Sequence, residues 1–236
     1  MNEFTTGITI AACAGVGAFA WGAFAPWSQL FGQTFRFTND SRSLAITFDD
    51  GPNPAITPSL LELLDRHNAN ATFFLIGRYA ATEPALVRDI AARGHAIGNH
   101  TQTHPNLAFL SSARLHNELQ ECDDSIATTL GRRPEWMRPP FGARSPILNG
   151  VVRRHGGQSV VMWSKWARDW SPQPAMPVIQ RLAKVKGGDI LLLHDGDHRD
   201  PRGDRRHTVD ALAHWLPRWQ DAGLQFVTLD GLRKDS

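Results

Sequence analysis

Leu44-Ala45-Ile46-Thr47-Phe48-Asp49-Asp50-Gly51-Pro52 opens on an apolar run and closes on Gly-Pro, one of the strongest local breakers of regular structure. The run reads as a buried strand over Leu44 to Phe48, with two adjacent carboxylates where the strand gives way to a loop. Neighbouring side chains of a strand face opposite ways, so a turn beginning at Gly51 is expected to bring Asp49 and Asp50 toward one cavity. Like charges that close repel, and at neutral pH they need a cation or hydrogen-bond donors beside them. Taken alone, Asp-Asp-Gly-Pro is more often a solvated surface turn, so the rest of the chain has to decide.

Outward from that strand, the pattern alternates. Ala71 to Ile76 reads as a second strand, His95 to Gly98 as a short third, then a segment through Trp136 and Met137, Ser159 to Trp163, Asp189 to Leu193, and Phe226 to Leu229. Helices fall between them. Thr57 and Pro58 open one that runs to about His67, Glu83-Pro84 starts another that ends before Gly94, and Ser111 caps a longer one that Gly131 stops. In the last, Leu115, Leu119, Cys122, Ile126 and Leu130 recur at helical spacing. Pro146 to Arg154 and Pro177 to Val185 are helical, and Thr208 caps a final helix through Trp219, with Pro217 as a late break.

Strands alternating with helices over short loops imply an α/β fold with a parallel sheet and enough units to close into a barrel. Chemistry in such barrels sits on loops at the C-terminal ends of strands. Asp49, Asp50, His100, Arg138, Asp169 and His194 all fall there.

Composition narrows the classes. At 236 residues, with 42% hydrophobic and 20% charged, this is one ordinary globular domain, not a disordered chain. The net charge is +2, acid and base are interleaved, and no basic block stands out, so nucleic-acid binding has no electrostatic footprint. Cys13 and Cys122 make no disulfide framework. Trp163, Trp166 and Trp170 cluster in one short segment, which suits a sugar-binding cleft and ordinary packing about equally.

Residues 1–32 stand apart as an apolar N-terminal segment, ahead of a catalytic domain over 40–236. Ile8 to Ala25 carries no charge, which reads first as a membrane anchor, then as a cleaved signal, then as an apolar element packed on the domain. A domain anchored at the membrane or exported to the cell envelope is expected, although Arg36 and Arg42 after the run mildly oppose export.

His100-Thr101-Gln102-Thr103-His104 places two imidazoles one turn apart if that segment is helical. Two neutral imidazoles plus one carboxylate, with positions left open for water, is a common catalytic set for zinc and related divalent ions. Asp50 supplies the carboxylate, leaving Asp49 unbound as a base, and the pair becomes machinery for metal-assisted hydrolysis. His194 leaves the apolar strand Ile190-Leu191-Leu192-Leu193 either as a satisfied core histidine or as a general acid. Arg138, on the stiff Pro139-Pro140-Phe141-Gly142 loop, can hold Asp49 ionised.

Together these motifs resemble the polysaccharide deacetylase family, the NodB-homology domains of carbohydrate esterase family 4, from about Leu44 to the C-terminus. The resemblance implies a distorted, TIM-like (β/α) barrel of about seven strands. It implies Asp49 as catalytic base and Asp50, His100 and His104 as ligands of a divalent metal, zinc first, with cobalt or nickel tolerated. Arg138-Pro139-Pro140-Phe141 looks like the motif whose arginine orients the base and whose fourth residue offers a backbone N–H to the oxyanion; tyrosine is usual at Phe141. Asp169-Trp170 looks like the motif whose aspartate tunes the catalytic histidine and whose tryptophan walls the groove, though an aspartate often found three residues earlier is Trp166 here. Leu191-Leu192-Leu193-His194 implies His194 as general acid and Leu192 in a pocket for the acetyl methyl.

The expected activity is hydrolytic removal of N-acetyl groups from N-acetylglucosamine-type residues of a glycan: peptidoglycan, chitin oligomer or exopolysaccharide. A deformylase or deacetylase of a lipid-linked amino sugar, which would suit membrane association through residues 8–25, is the alternative, and a carbohydrate-binding pseudoenzyme a second. No nucleic-acid or protein partner is implied. The loop from Asp195 through His207, rich in Arg and Asp, reads as a solvated salt-bridged loop or a mixed-charge lid, and His67, His95, His116, His155 and His214 receive no role.

Overall fold

In the computed structural model, which describes residues 15–232, the strand of the opening stretch lies inside the sheet and is buried throughout. A helix over 15–24, α1, precedes it. β1 (Ser43–Gly51) pairs with β2 (Ala71–Leu75), followed outward by β3 (Ala96–Asn99), β4 (Trp136–Met137) and β5 (Ser159–Val160). On its other side lie β7 (Ile190–His194) and then β6 (Lys165–Trp166), while β8 (Gln225–Phe226) pairs with the start of β1. Every strand pairing is parallel, and the sheet curls into an open, distorted barrel. Between the two end strands, Phe35 bridges to Val161 beyond β5 and Phe37 bridges to Asp189 before β7.

The helices are α2 (Thr57–Arg66), α3 (Gly77–Thr82), α4 (Pro84–Ala92), α5 (Ser112–Leu130), α6 (Leu148–His155), α7 (Ala175–Leu182), α8 (Arg206–Asp221) and the short α9 (Leu229–Leu232). The largest core layer joins Ile46, Phe48, Phe73 and Leu193 of the sheet to Leu60, Leu61 and Leu64 of α2 and to Leu212 and Leu216 of α8. Each such side chain contributes roughly 1.5–3 kcal/mol by leaving water, which explains the near-continuous apolar strands. Register then positions the chemistry. Asp49 lies level with Phe74 on β2 and with His194 on β7.

Several expectations change. Ser111 caps α5 through its hydroxyl and Gly131 ends it in the left-handed region, as read. Thr57 and Thr208, however, lie inside the first turns of α2 and α8, and neither caps its helix. α8 runs through Pro217, because buried Leu216 and Trp219 hold its last turn on the core. β5 stops at Val160, and β6 and α3 are additional elements too short to leave a periodic signal.

Residues 8–14 of the apolar stretch, and Cys13 with them, lie outside the described residues. The described part packs on the domain: Ala23 is buried with Ala108 and Ala143. The buried Arg144 guanidinium donates to the carbonyls of Ala25 and Ser28, each at 2.7 Å. No helix among the described residues is long and apolar enough to cross a membrane.

Candidate active site

Both carboxylates reach the same cleft by a different route from the one expected. β1 does not end before them; it runs through Gly51, and its register on β2 shifts between Asp49 and Gly51. Asp50 sits at φ 71°, in the left-handed region, which undoes the alternation of a strand and turns its side chain to the side that Asp49 faces. Gly51 is required next to it, because a Cβ there would stand 2.4 Å from Asp195 Oδ2.

The two histidines also converge without a helix. The chain from His100 to His104 is an irregular turn with Thr101 at φ 67° and His104 at φ 62°. Asn99 Oδ1 accepts from the Thr101 N–H at 2.7 Å, and Thr101 Oγ1 accepts from the His104 N–H at 3.1 Å. Asx and threonine turns therefore do what one helical turn was expected to do.

Asp50, His100 and His104 each offer a ligand atom, and the three atoms lie within 4.8 Å of one another. The donor set fits a divalent cation. The Arg138 carbonyl accepts from His100 Nδ1 at 2.8 Å, which leaves the Nε2 lone pair facing Asp50 Oδ1 at 3.5 Å. Asp50 Oδ1 is buried without a hydrogen-bond partner, 3.1 Å from His104 Nε2. Burial pushes His104 down, so it is neutral, as a ligand must be.

Asp49 has a different partner. The Arg138 guanidinium, fully buried, donates to Asp49 Oδ1 at 2.8 Å, to Thr47 Oγ1 at 2.6 Å and to the Met162 carbonyl at 3.1 Å. It lies over the Phe74 ring at 4.3 Å. So held, Asp49 has its second oxygen, Oδ2, 3.8 Å from His100 Nε2.

Across the cleft, Asp169 Oδ1 accepts from His194 Nδ1 at 2.9 Å and Asp169 Oδ2 from the His194 N–H at 2.9 Å. Thr208 Oγ1 donates to Oδ2 at 2.8 Å, and His207 Nε2 to the Asp169 carbonyl at 2.9 Å. Burial lowers the His194 pKa, but Asp169 outweighs it, with Asp50 and Asp49 adding to it, and the imidazole is pushed up to about 9. Its Nδ1–H is committed to Asp169, so Nε2–H is the donor left on the cleft side.

The cleft, about 510 Å³, is lined by Asp49, Asp50, His100, His104, Phe141, Trp170, Leu192 and His194. Of the residues singled out from sequence, only Arg138 and Asp169 stand behind the wall, each fully buried. Trp163 and Trp166 stack at 6.1 Å, with Trp170 at 5.7 Å from Trp166, and all three face the cleft. Phe141, at φ 58°, meets His104 edge-on at 4.6 Å. Sequence reasoning missed His198, whose ring stacks on His104 at 4.4 Å. It also missed Asp195, whose carboxyl burial pushes up to about 7. Only the second half of Leu191-Leu192-Leu193-His194-Asp195 hinted at it, as a charge directly after a buried strand.

Asp49 and His194 face one cleft beside three side chains, Asp50, His100 and His104, that could hold a metal ion. The chain belongs to the polysaccharide deacetylase family, whose description matches residues 37–160. It is 36% identical over 201 residues to a peptidoglycan-N-acetylglucosamine deacetylase of Bacillus cereus, covering 84% of this chain and 92% of that one. It is 38% identical over 209 residues to a chitooligosaccharide deacetylase of Azorhizobium caulinodans, covering 85% and 99%. Its structure matches the crystal structure of a peptidoglycan N-acetylglucosamine deacetylase with a TM-score of 0.78, at 32% identity and covering 86% and 93%.

Proposed function

We propose that the protein is a metal-dependent N-deacetylase of N-acetylglucosamine-type residues in a glycan. The observation that carries this reading is the placement of Asp49 and His194 level on neighbouring strands, beside Asp50, His100 and His104. A divalent cation held by those three supplies Lewis acidity to the acetamide carbonyl and makes water acidic near neutral pH. Zinc suits the donors first, with cobalt and nickel close behind.

Asp49 takes the proton of the attacking water, since Arg138 keeps it ionised and aimed. Phe141 lines the cleft, and its backbone N–H is the donor proposed for the oxyanion. His194, charged at neutral pH, gives its proton to the departing amine. Leu192 offers an apolar floor to the acetyl methyl, and Trp170 stacks on the sugar face. Atoms balance as acetamide plus water giving acetate and a free amino sugar.

The test is acetate release from N-acetylglucosamine oligomers, with and without chelator, for wild type and Asp49→Ala. Chelator-sensitive release that Asp49→Ala abolishes is expected. No release from any glycan with metal supplied would sink the enzyme reading, and release indifferent to chelator would remove the metal. An envelope location is supported by the uncharged stretch, with Trp21 and Phe24 exposed within it, and by exposed Trp27 and Leu30 just after it. Protease accessibility in intact against permeabilised cells checks that location.

A further inference from the structure

The loop between β7 and α8 is exposed over residues 199–202 but is not free. Tyr79 Oη donates to the His198 carbonyl at 3.0 Å, as does the Arg78 guanidinium. Asn53 Nδ2 donates to the Gly203 carbonyl at 2.9 Å. Arg205, itself buried, donates from Nη2 to Asp197 Oδ2 at 2.9 Å and to the Trp170 carbonyl at 2.6 Å, so the loop is stapled to the tryptophan wall. Asp197 Oδ1 then accepts from the Arg199 N–H at 2.9 Å, which fixes the backbone of Arg199.

The charged side chains that line the cleft have partners in every case but one. Asp49 has Arg138, Asp50 has the imidazoles, His194 has Asp169, and Asp197 has Arg205. Arg199 lines the same cleft, is exposed, and its guanidinium has no hydrogen bond or ion pair among the described residues. A cation on a pinned backbone, at the mouth of a cleft where Asp49 and Asp197 are each paired with an arginine and Asp50 lies among imidazoles, is left for a group that arrives with the substrate. One guanidinium matches one carboxylate in a two-bond fork.

Resting on the deacetylase reading above, we propose that Arg199 is an anion subsite that selects a glycan in which the N-acetylhexosamine neighbours a sugar bearing a carboxylate. That carboxylate comes either from a uronate ring or from an ether-linked lactyl group. A neutral homopolymer of N-acetylglucosamine leaves the subsite empty.

The experiment compares kcat/KM for three oligomers of equal length: neutral N-acetylglucosamine, N-acetylglucosamine alternating with glucuronate, and N-acetylglucosamine alternating with N-acetylmuramate. Wild type is expected to prefer one or both acidic oligomers about tenfold at low salt, through KM and not kcat, with the preference shrinking at high salt. Which acidic oligomer wins identifies the source of the carboxylate. Arg199→Ala should bring the ratio of acidic to neutral to about one, and Arg199→Lys should keep part of it. Arg202→Ala, on the same loop but away from the cleft, should leave the ratio unchanged. A wild-type ratio near one, or an Arg199→Ala variant that keeps the preference, overturns the proposal. Calorimetric binding of the same oligomers to wild type and Arg199→Ala separates the two readings. Acidic oligomers that bind tighter through Arg199 without acetate release would refute the deacetylase reading and keep the subsite.

Discussion

Two buried pairs face each other across the cleft, and they are built as opposites. Asp49, the anion, is held by the cation Arg138; His194, the cation, is held by the anion Asp169. In each pair an internal partner stabilises the charged form that burial opposes. The partners differ in kind. Arg138 carries a permanent charge braced by Thr47, Phe74 and a carbonyl, whereas Asp169 keeps its charge only through His194, Thr208 and a backbone N–H. The Asp49 pair thus leans on a permanent charge, and the His194 pair on a proton that His194 holds up to about pH 9.

The sharpest way to break the symmetry is to remove Asp49, the base of the proposed reaction. Asp49→Asn should lower kcat by about 10³-fold, near the middle of what general-base catalysis supplies, while metal content by elemental analysis stays at wild-type level. Asp50→Asn should instead lose the metal. If Asp49→Asn lost metal equally, the division of the adjacent carboxylates into a base and a ligand would be wrong.

Which residues converge was legible in the sequence, and how they converge was not. Asp-Asp before Gly-Pro, two histidines four apart, and a histidine closing a run of leucines announced which residues would meet. The geometry that joins them was not legible, because it rests on φ 71° at Asp50, φ 67° at Thr101 and φ 62° at His104. Propensity gives little warning of a left-handed aspartate inside a strand or of two left-handed residues within five. The strands β4, β5 and β6, two residues each, could not show a period of two, so the barrel's outer members were under-read. His198 and Arg199 were hidden for another reason: their role depends on Arg78, Tyr79 and Arg205 holding a loop that looks, in sequence, like solvated charge.

Removing the cation of the base pair tests whether Arg138 is structural as well. Arg138→Met leaves Asp49 buried without its partner, so about 3–5 kcal/mol of stability should go, seen as a lower denaturant midpoint. Activity should fall with it. An unchanged midpoint would show that Asp49 finds other compensation.

The anion of the acid pair predicts a change of pH profile instead. Asp169 raises the His194 pKa, so His194 is protonated below about 9 and loses its proton above. The alkaline limb of kcat/KM therefore belongs to the acid, and Asp169→Asn should move it to lower pH while cutting the rate near neutrality by about 10²-fold. The same shift enters stability: the raised pKa contributes fully below the unfolded histidine value and is lost as pH rises through about 9. A limb that stays in place in Asp169→Asn would give it to another group.

The smallest effect separates the two pairs most cleanly, because only the acid pair leans on a hydroxyl borrowed from a helix. Thr208 reads from sequence as the cap of α8, but α8 starts at Arg206 and the Thr208 hydroxyl donates to Asp169 Oδ2 at 2.8 Å. Its methyl-bearing shape is kept by Thr208→Val and its donor is not. The loss of one hydrogen bond to the carboxylate should slow turnover roughly three- to tenfold, with helix stability little changed since no cap is removed. Thr208→Ser keeps the donor and should restore most of the rate. If valine and serine slow the enzyme alike, packing and not the hydroxyl holds Asp169. If valine instead lowers stability by the 1 kcal/mol or so of a lost cap and leaves turnover unchanged, the threonine serves the helix after all, and His194 alone anchors Asp169, through its ring and its backbone N–H.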